Sequence, residues 1–208
     1  MAEGRFISLE GGEGAGKSTQ LKRLAEALRR RGLEVVETRE PGGSPGAEAI
    51  RRLLLEGEES RWNPATEALL FAAARGDHVD KTIRPALARG AWVLSDRFLD
   101  SSLAYQGGAG GVGMEAVRAL HAIGSGGMLP DRTLLLQLAP RVAAERAKVR
   151  DVSGADRIGG RGEEYHAGVA AAFAALARAE PERFRTVDAS GSADAVTERC
   201  LAAIGDLL

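Results

Sequence analysis

The feature that most constrains the fold of this chain is a glycine-rich turn between an apolar segment and an amphipathic helix. Residues 11–18 follow the phosphate-binding pattern G-x-x-x-x-G-K-[ST]. Its glycines let consecutive backbone N–H groups turn inward around a phosphate, while the lysine and the start of the next helix add positive charge. The pattern therefore predicts a nucleotide site, contributed by Gly11, Gly12, Glu13, Gly14, Ala15, Gly16, Lys17, Ser18 and Thr19.

Length, charge and cysteine content limit the domain count and the partners. The 208 residues are enough for one α/β domain, spanning 1–208, with a sizeable core. The net charge of −1 provides no overall basic field, so we expect neither nucleic acid nor a membrane as a partner. The one cysteine, Cys200, excludes a disulfide or zinc framework within the chain, which fits a cytoplasmic protein.

Short apolar runs alternate with helical patterns along the chain. Strands are predicted at 5–10, 33–38, 91–95, 133–138 and 184–188. Helices are predicted at 17–31, 45–55, 64–89, 114–124, 140–149, 163–179 and 192–208. This alternation predicts an α/β fold with a five-stranded parallel sheet and helices on both faces. In such sheets ligands bind beyond the carboxyl ends of the strands.

Charged residues follow two of the predicted strands. The second strand runs into residues 39–43, Arg-Glu-Pro-Gly-Gly, which taken alone favour a simple turn. The third strand is followed by Asp96 and Arg97. This pair is either a surface ion pair of little consequence or part of the site. If the pair belongs to the site, Arg97 would hold a second phosphate with two hydrogen bonds. Asp96 would then be the acidic residue that enzymes with a phosphate loop carry on such a strand.

Phe71 and Arg75 are separated by one helical turn between these strands. Residues four apart share a face of a helix. A phenylalanine at helical spacing is usually a core residue. Beside an arginine, it could also stack on a base while the arginine binds the edge of that base.

Two glycine-bearing segments complete the pattern. Residues 107–113 are predicted to form a mobile loop, and residues 150–162 a lid. The lid contains three arginines, which are either a solvated face or the mobile cations that phosphoryl transfer requires. These are Arg150, Arg157 and Arg161.

Together these segments resemble the thymidylate kinase family, in its bacterial branch. They occur in the family's order and extend over residues 5–166. The phosphate loop is shared by many enzymes, whereas the Arg-Glu-Pro-Gly-Gly and Asp-Arg-x-x-x-Ser-x-x-Ala-Tyr-Gln-Gly segments are far more specific. The resemblance implies a P-loop NTPase fold of the nucleoside monophosphate kinase type. The matching segments are 9–19, 38–43, Phe71 with Arg75, 95–98, Ser101, 104–107, Pro130-Asp131 and Asp156-Arg157.

The resemblance also implies roles for single residues. Lys17 would bridge the donor and acceptor phosphates, and Arg97 would hold the acceptor phosphate. Phe71 would stack on thymine, and Arg75 would bond its carbonyl edge. Glu13 would accept from the sugar 3′-hydroxyl or orient the acceptor. The acceptor nucleotide would also contact Glu40, Pro41, Ser101, Ser102, Tyr105 and Gln106, with Tyr105 near the 2′ position.

Two further roles follow from the resemblance. Some members of the family have an arginine in the phosphate loop where this chain has Gly14. The cation that stabilises the transferred phosphoryl group is therefore expected from the lid, with Arg157 as the first choice. Ser18, with the carboxylates of Glu10 and Asp96, would position Mg²⁺ directly or through water.

The implied reaction is transfer of the γ-phosphoryl group of ATP to dTMP, giving dTDP for dTTP synthesis and DNA replication, by a homodimer. An acceptor phosphate is already ionised, so the reaction needs no strong general base. His78, His121 and His166 have no triad or metal spacing, and we expect structural or surface roles for them. The first alternative is another nucleoside monophosphate kinase, acting on dUMP, UMP or CMP. The second is a GTP-dependent switch, although the sequence lacks the Asn-Lys-x-Asp guanine signature.

Overall fold

The computed structural model describes residues 3–139, 142 and 157–208. The predicted helix at 140–149, apart from residue 142, lies outside the described residues. So do Arg150 and most of the predicted lid.

Five parallel strands form the centre of the fold, which confirms the predicted α/β architecture. The strands lie in the order β2-β3-β1-β4-β5, so the chain crosses over between neighbours rather than forming hairpins. Their bounds are β1 Phe6–Glu10, β2 Val35–Arg39, β3 Trp92–Asp96, β4 Arg132–Gln137 and β5 Phe184–Asp188.

The helices cover both faces of this sheet. The α-helices with described bounds are α1 Lys17–Arg30, α2 Pro45–Leu55, α3 Pro64–His78, α4 Arg84–Ala88, α5 Leu99–Ser102, α6 Met114–Ser125, α7 Glu163–Ala179 and α8 Ala193–Ala203. Two π-helical turns, Val79–Ile83 and Leu103–Ala109, follow α3 and α5. Short 3-10 turns lie at Glu59–Arg61 and Gly205–Leu207.

Two predicted segments differ from the structure. The helix predicted at 64–89 is divided by the π-helical turn, and the helix predicted at 192–208 ends at Ala203. The mobile loop predicted at 107–113 is partly wrong, because the π-helical turn continues to Ala109. A Cβ at Gly108 would lie 2.9 Å from the Cβ of Ala172, so the missing side chain lets this turn pack against α7.

Alternation along the strands divides the core between the two faces. Successive strand residues point to opposite faces, so Phe6 packs with one cluster and Ile7 with the other. The first cluster includes residues of the segment from α3 to α6 and of α7, and the second includes residues of α1 and α8. Within the described ranges, no helix combines the length and apolar character that crossing a membrane requires.

His121 on α6 packs against Phe98 of the first cluster. Its Nε2–H donates to the Met128 carbonyl at 2.7 Å, and its ring meets the Phe98 ring edge-on at 5.7 Å. Among the described residues, its buried Nδ1 has no hydrogen-bond partner. Burial, followed by the positive charge of Arg75, lowers the pKa of His121 to about 4.

This pKa predicts a specific acid sensitivity. Because the imidazole has a pKa near 6.5 when unfolded and about 4 when folded, the unfolded chain takes up the proton first. The stability associated with neutral His121 is fully present above pH 6.5 and falls as the pH approaches 4. In His121→Gln, which can still donate to Met128 but cannot titrate, we expect this part of the pH dependence to disappear. Urea unfolding of both proteins across this range measures it, and parallel pH profiles would contradict the assignment.

Candidate active site

The phosphate loop connects β1 to α1 and lies at the carboxyl edge of the sheet. Gly11 has φ of 136° and Gly16 has φ of 89°, values that favour glycine. A Cβ on Gly11 would also overlap the carbonyl oxygen of Leu136. The buried ammonium of Lys17 reaches back over the loop and donates to the carbonyls of Gly11, at 3.0 Å, and Gly12, at 2.8 Å. Burial, with a further effect of nearby Arg97, lowers the pKa of Lys17 to about 8.

Arg97 lies across from this loop, directly after β3. Its Nη1 donates to the Gly11 carbonyl at 3.2 Å and to Ser101 Oγ at 3.1 Å. Its Nη2 donates to Glu13 at 2.5 Å and lies 3.3 Å from the Tyr105 hydroxyl. The guanidinium is thus held beside the phosphate loop, with two of its hydrogen bonds directed at the loop itself.

The backbone at Arg97 has φ of 71°, an unusual conformation for a side chain of this size. Glu10, at the end of β1, supports it by accepting from the Phe98 N–H at 2.7 Å and the Ser101 hydroxyl at 2.6 Å. Burial, together with the charge of Asp100, raises the pKa of Glu10 to about 8. The carboxylate is fully buried and directed at these partners. Its predicted contact with Mg²⁺ stays a prediction, and sequence reasoning missed its contact with this turn.

Ser18 and Asp96 form the second polar contact of the loop. The Ser18 hydroxyl donates to Asp96 Oδ2 at 2.5 Å, and both residues line the cavity described below. A hydroxyl and a carboxylate beside a phosphate site fit Mg²⁺, which binds through one or two protein oxygens together with substrate phosphates.

A cavity of about 700 Å³ extends from the loop across the carboxyl ends of the strands. This volume is within the usual range for small-ligand sites. From the loop, residues 13–19 line it. The predicted substrate residues that line it are Glu40, Pro41, Phe71, Arg75, Arg97, Ser101, Ser102, Tyr105 and Gln106. Residues that are distant in sequence therefore come together as predicted, although the role of each remains a prediction.

Arg75 is fixed by a buried ion pair behind the cavity. Its Nε donates to Glu40 at 2.8 Å and its Nη2 to Ser102 at 2.7 Å. His78 Nδ1–H donates to the other oxygen of Glu40 at 3.0 Å, and His78 Nε2 lies 2.6 Å from the Thr38 hydroxyl. His78 thus orients Glu40, a role that sequence reasoning missed. Its position three residues after Arg75 on α3 was the available signal.

Arg39 and Arg51 also line the cavity and were not predicted as site residues. Arg51 projects from α2 and donates to the Pro41 carbonyl at 2.6 Å. Arginines on helix surfaces are common, so only the fold could bring this one to the site.

The lid arginines that the structure describes are directed away from the phosphate loop. Arg157 is buried and donates to Glu67 at 2.5 Å and to the Leu54 carbonyl at 2.8 Å. Arg161 donates to the same oxygen of Glu67 at 2.7 Å. From this end of the lid, Ile158 lines the cavity. The predicted catalytic role of Arg157 stays a prediction and requires its guanidinium to leave Glu67.

A family model, curated relatives and a solved structure that resemble this chain are all described as thymidylate kinases. The family model for thymidylate kinase matches residues 9–200. The thymidylate kinase of Rhizorhabdus wittichii is 63% identical over 205 residues, which cover 99% of both chains. That of Caulobacter vibrioides is 50% identical over 208 residues, covering 100% of this chain and 97% of the relative. The crystal structure of thymidylate kinase from Ehrlichia chaffeensis superposes with a TM-score of 0.77 at 28% identity, covering 97% of this chain and 98% of that one.

The buried Arg75–Glu40 pair predicts a large stability effect. In Glu40→Gln we expect the free energy of unfolding to fall by ~3 kcal/mol, since the variant leaves a buried arginine without its counter-charge. The matched control is Glu37→Gln, which removes the same charge from the half-exposed pair with Arg29. That change should cost below ~1 kcal/mol. Urea unfolding measures both, and equal losses would mean that the Arg75–Glu40 pair is not a structural anchor.

Proposed function

The chain belongs to the thymidylate kinase family and phosphorylates dTMP to dTDP, and we propose that the reaction takes place in this cavity, with ATP as the donor and Mg²⁺ as the cofactor. The observation that carries the proposal is the shared contact of two cations. Lys17 Nζ and Arg97 Nη1 lie 3.0 Å and 3.2 Å from the same carbonyl oxygen, that of Gly11. Two phosphates that meet at this point would each face a positive charge.

The donor phosphates would occupy the loop at the start of α1. There the inward N–H groups and the helix N-terminus favour negative charge. Lys17 would exchange its contacts with loop carbonyls for phosphate oxygens, which restores the charged state that burial disfavours. Ser18 and Asp96 would hold Mg²⁺, which supplies positive charge to the donor phosphates.

The acceptor dTMP would occupy the rest of the cavity. Arg97 would hold its phosphate, with Glu13 near the sugar. Phe71 would stack on the thymine, and Arg75 would bond a carbonyl of its edge. The Tyr105 hydroxyl, 3.3 Å from Arg97, would lie near the sugar where a 2′-hydroxyl is disfavoured.

Catalysis would then consist of alignment and charge neutralisation. The attacking group would be a phosphate oxygen that is already ionised at neutral pH, so the site needs no strong general base. Its task is to bring two repelling anions into line and to stabilise the charge on the transferred group. The shared contact of Lys17 and Arg97 with the Gly11 carbonyl supports this role for both, and we propose that Arg157 would join them at the transferred phosphoryl group.

We propose that residues 1–208 act as one domain and pair as a homodimer. Exposed apolar side chains on neighbouring helices support this pairing, among them Leu69 on α3 and Ile123, 85% exposed, on α6. We place the enzyme in the cytoplasm because ATP and deoxynucleotide monophosphates are cytoplasmic metabolites.

The choice of acceptor predicts a clear activity pattern. With ATP and Mg²⁺, a coupled assay of ADP production should show much faster turnover of dTMP than of dCMP, dGMP or UMP. The reason is that Phe71, Arg75 and Tyr105 suit a thymine deoxynucleotide. Equal rates for these acceptors would contradict the assignment of the base site.

The proposed stacking on Phe71 predicts a selective effect on dTMP binding. Loss of base–aromatic stacking is worth ~1–3 kcal/mol, so Phe71→Ala should raise KM for dTMP by ~10-fold or more while kcat changes less. Thermal unfolding is the control. A variant that loses its fold without this kinetic signature would instead favour the interpretation of Phe71 as a core residue.

A further inference from the structure

Glu67 is a buried carboxylate behind the cavity for which the sequence predicts no role. It lies on α3 one turn before Phe71 and two turns before Arg75, so the three residues share a face of the helix. Its side chain is 2% exposed. Among the residues that the structure describes, it accepts hydrogen bonds from three side chains, namely Gln106 Nε2 at 3.0 Å, Arg157 Nη2 at 2.5 Å and Arg161 Nη2 at 2.7 Å.

The contact with Glu67 fixes the orientation of the Gln106 amide. A carboxylate that is paired with arginines only accepts hydrogen bonds, so the NH₂ of Gln106 must face it. Gln106 lines both the 700 Å³ cavity and a second cavity of about 500 Å³, and Glu67 borders the second. With its NH₂ held by Glu67, the amide has its oxygen left to accept a hydrogen bond, and a ligand in the first cavity, which Gln106 lines, would be the donor.

We propose that Glu67 is a positioning residue that sets the base selectivity of the enzyme through Gln106. The inference rests on the proposed function, in which thymine lies beside Arg75 and Gln106. Thymine has an N3–H donor next to its carbonyl oxygens, and this donor can bond the Gln106 oxygen. Cytosine has a lone pair at N3, so its N3 and the amide oxygen would be two acceptors without a hydrogen between them. A site with fixed polar groups rejects such a mismatch strongly.

Arg157 and Arg161 make this arrangement sustainable. A buried, unpaired carboxylate would be costly, and the two guanidiniums offset its charge on the side away from Gln106. Glu67 can therefore remain an acceptor for the amide while it is buried. The amide itself could turn over at little cost if its partner could also donate.

The test is the selectivity of Glu67→Gln. The new amide can donate as well as accept, so Gln106 is released to turn its NH₂ toward the cavity. We expect the ratio of kcat/KM for dTMP to that for dCMP to fall by at least ~10-fold. Glu67→Asp keeps the negative charge but withdraws the carboxylate from Gln106, and should lower the ratio in the same direction. If either variant does not fold, the other carries the test.

A structural role alone would give a different result. Loss of both kcat/KM values with an unchanged ratio would overturn the proposal. The matched control is Glu59→Gln, which removes an exposed carboxylate 3.8 Å from Arg161 and should leave the ratio as in the wild type. An equal fall of the ratio in this control would also overturn the proposal, since the effect would then come from the charge around Arg161.

A double-mutant cycle tests the route through Gln106. In a Gln106→Ala background, Glu67→Gln should not change the ratio further, and an additional change would overturn the proposal. A wild-type enzyme that does not distinguish dTMP from dCMP would instead overturn the proposed base site. A selective wild type with unaltered Glu67 variants would overturn only the inference about Glu67.

Discussion

The carbonyl oxygen of Gly11 joins the two cations on which the proposed chemistry of this cavity depends. Lys17 and Arg97 both donate to it, so it holds two cations close together. Burial and the charge of Arg97 together lower the pKa of Lys17 to about 8. Phosphates bound between these two cations would remove this penalty. Because Lys17 belongs to the loop and Arg97 follows β3, the two cations come together only when the loop lies against the end of β3.

Buried carboxylates behind the cavity hold the groups that face it. Glu10 accepts from the turn that carries Arg97, Glu40 accepts from Arg75, and Glu67 accepts from Gln106. Glu40 and Glu67 are buried and paired with arginines, since an unpaired buried charge would be unstable, whereas burial raises the pKa of Glu10 to about 8 and its partners are neutral donors. Each carboxyl group and its hydrogen-bond donors therefore hold each other in position. This reciprocal pairing preorganises the cavity-lining groups Arg97, Arg75 and Gln106.

The parts of the site that sequence predicted are those whose chemistry is local. The phosphate loop, Asp96 with Arg97, and Phe71 with Arg75 are each contained in a few consecutive residues or one helical turn. The supporting contacts were not predictable in this way. Glu67 and Gln106 are 39 positions apart, and Arg75 and Glu40 are 35 apart. Periodicity cannot show such pairs, and the π-helical turn at Leu103–Ala109 was likewise hidden in what reads as a glycine-rich loop.

The pairing of two arginines with one carboxylate bears on how the lid would act. Arg157 and Arg161 donate to the same oxygen of Glu67. If Arg157 moves to the transferred phosphoryl group, Arg161 remains to offset the charge on Glu67, so the departure does not leave a buried carboxylate unpaired. Glu67 would then continue to hold Gln106 while the lid changes its contacts. Under these proposals, one carboxylate would serve base recognition and still allow Arg157 to leave it.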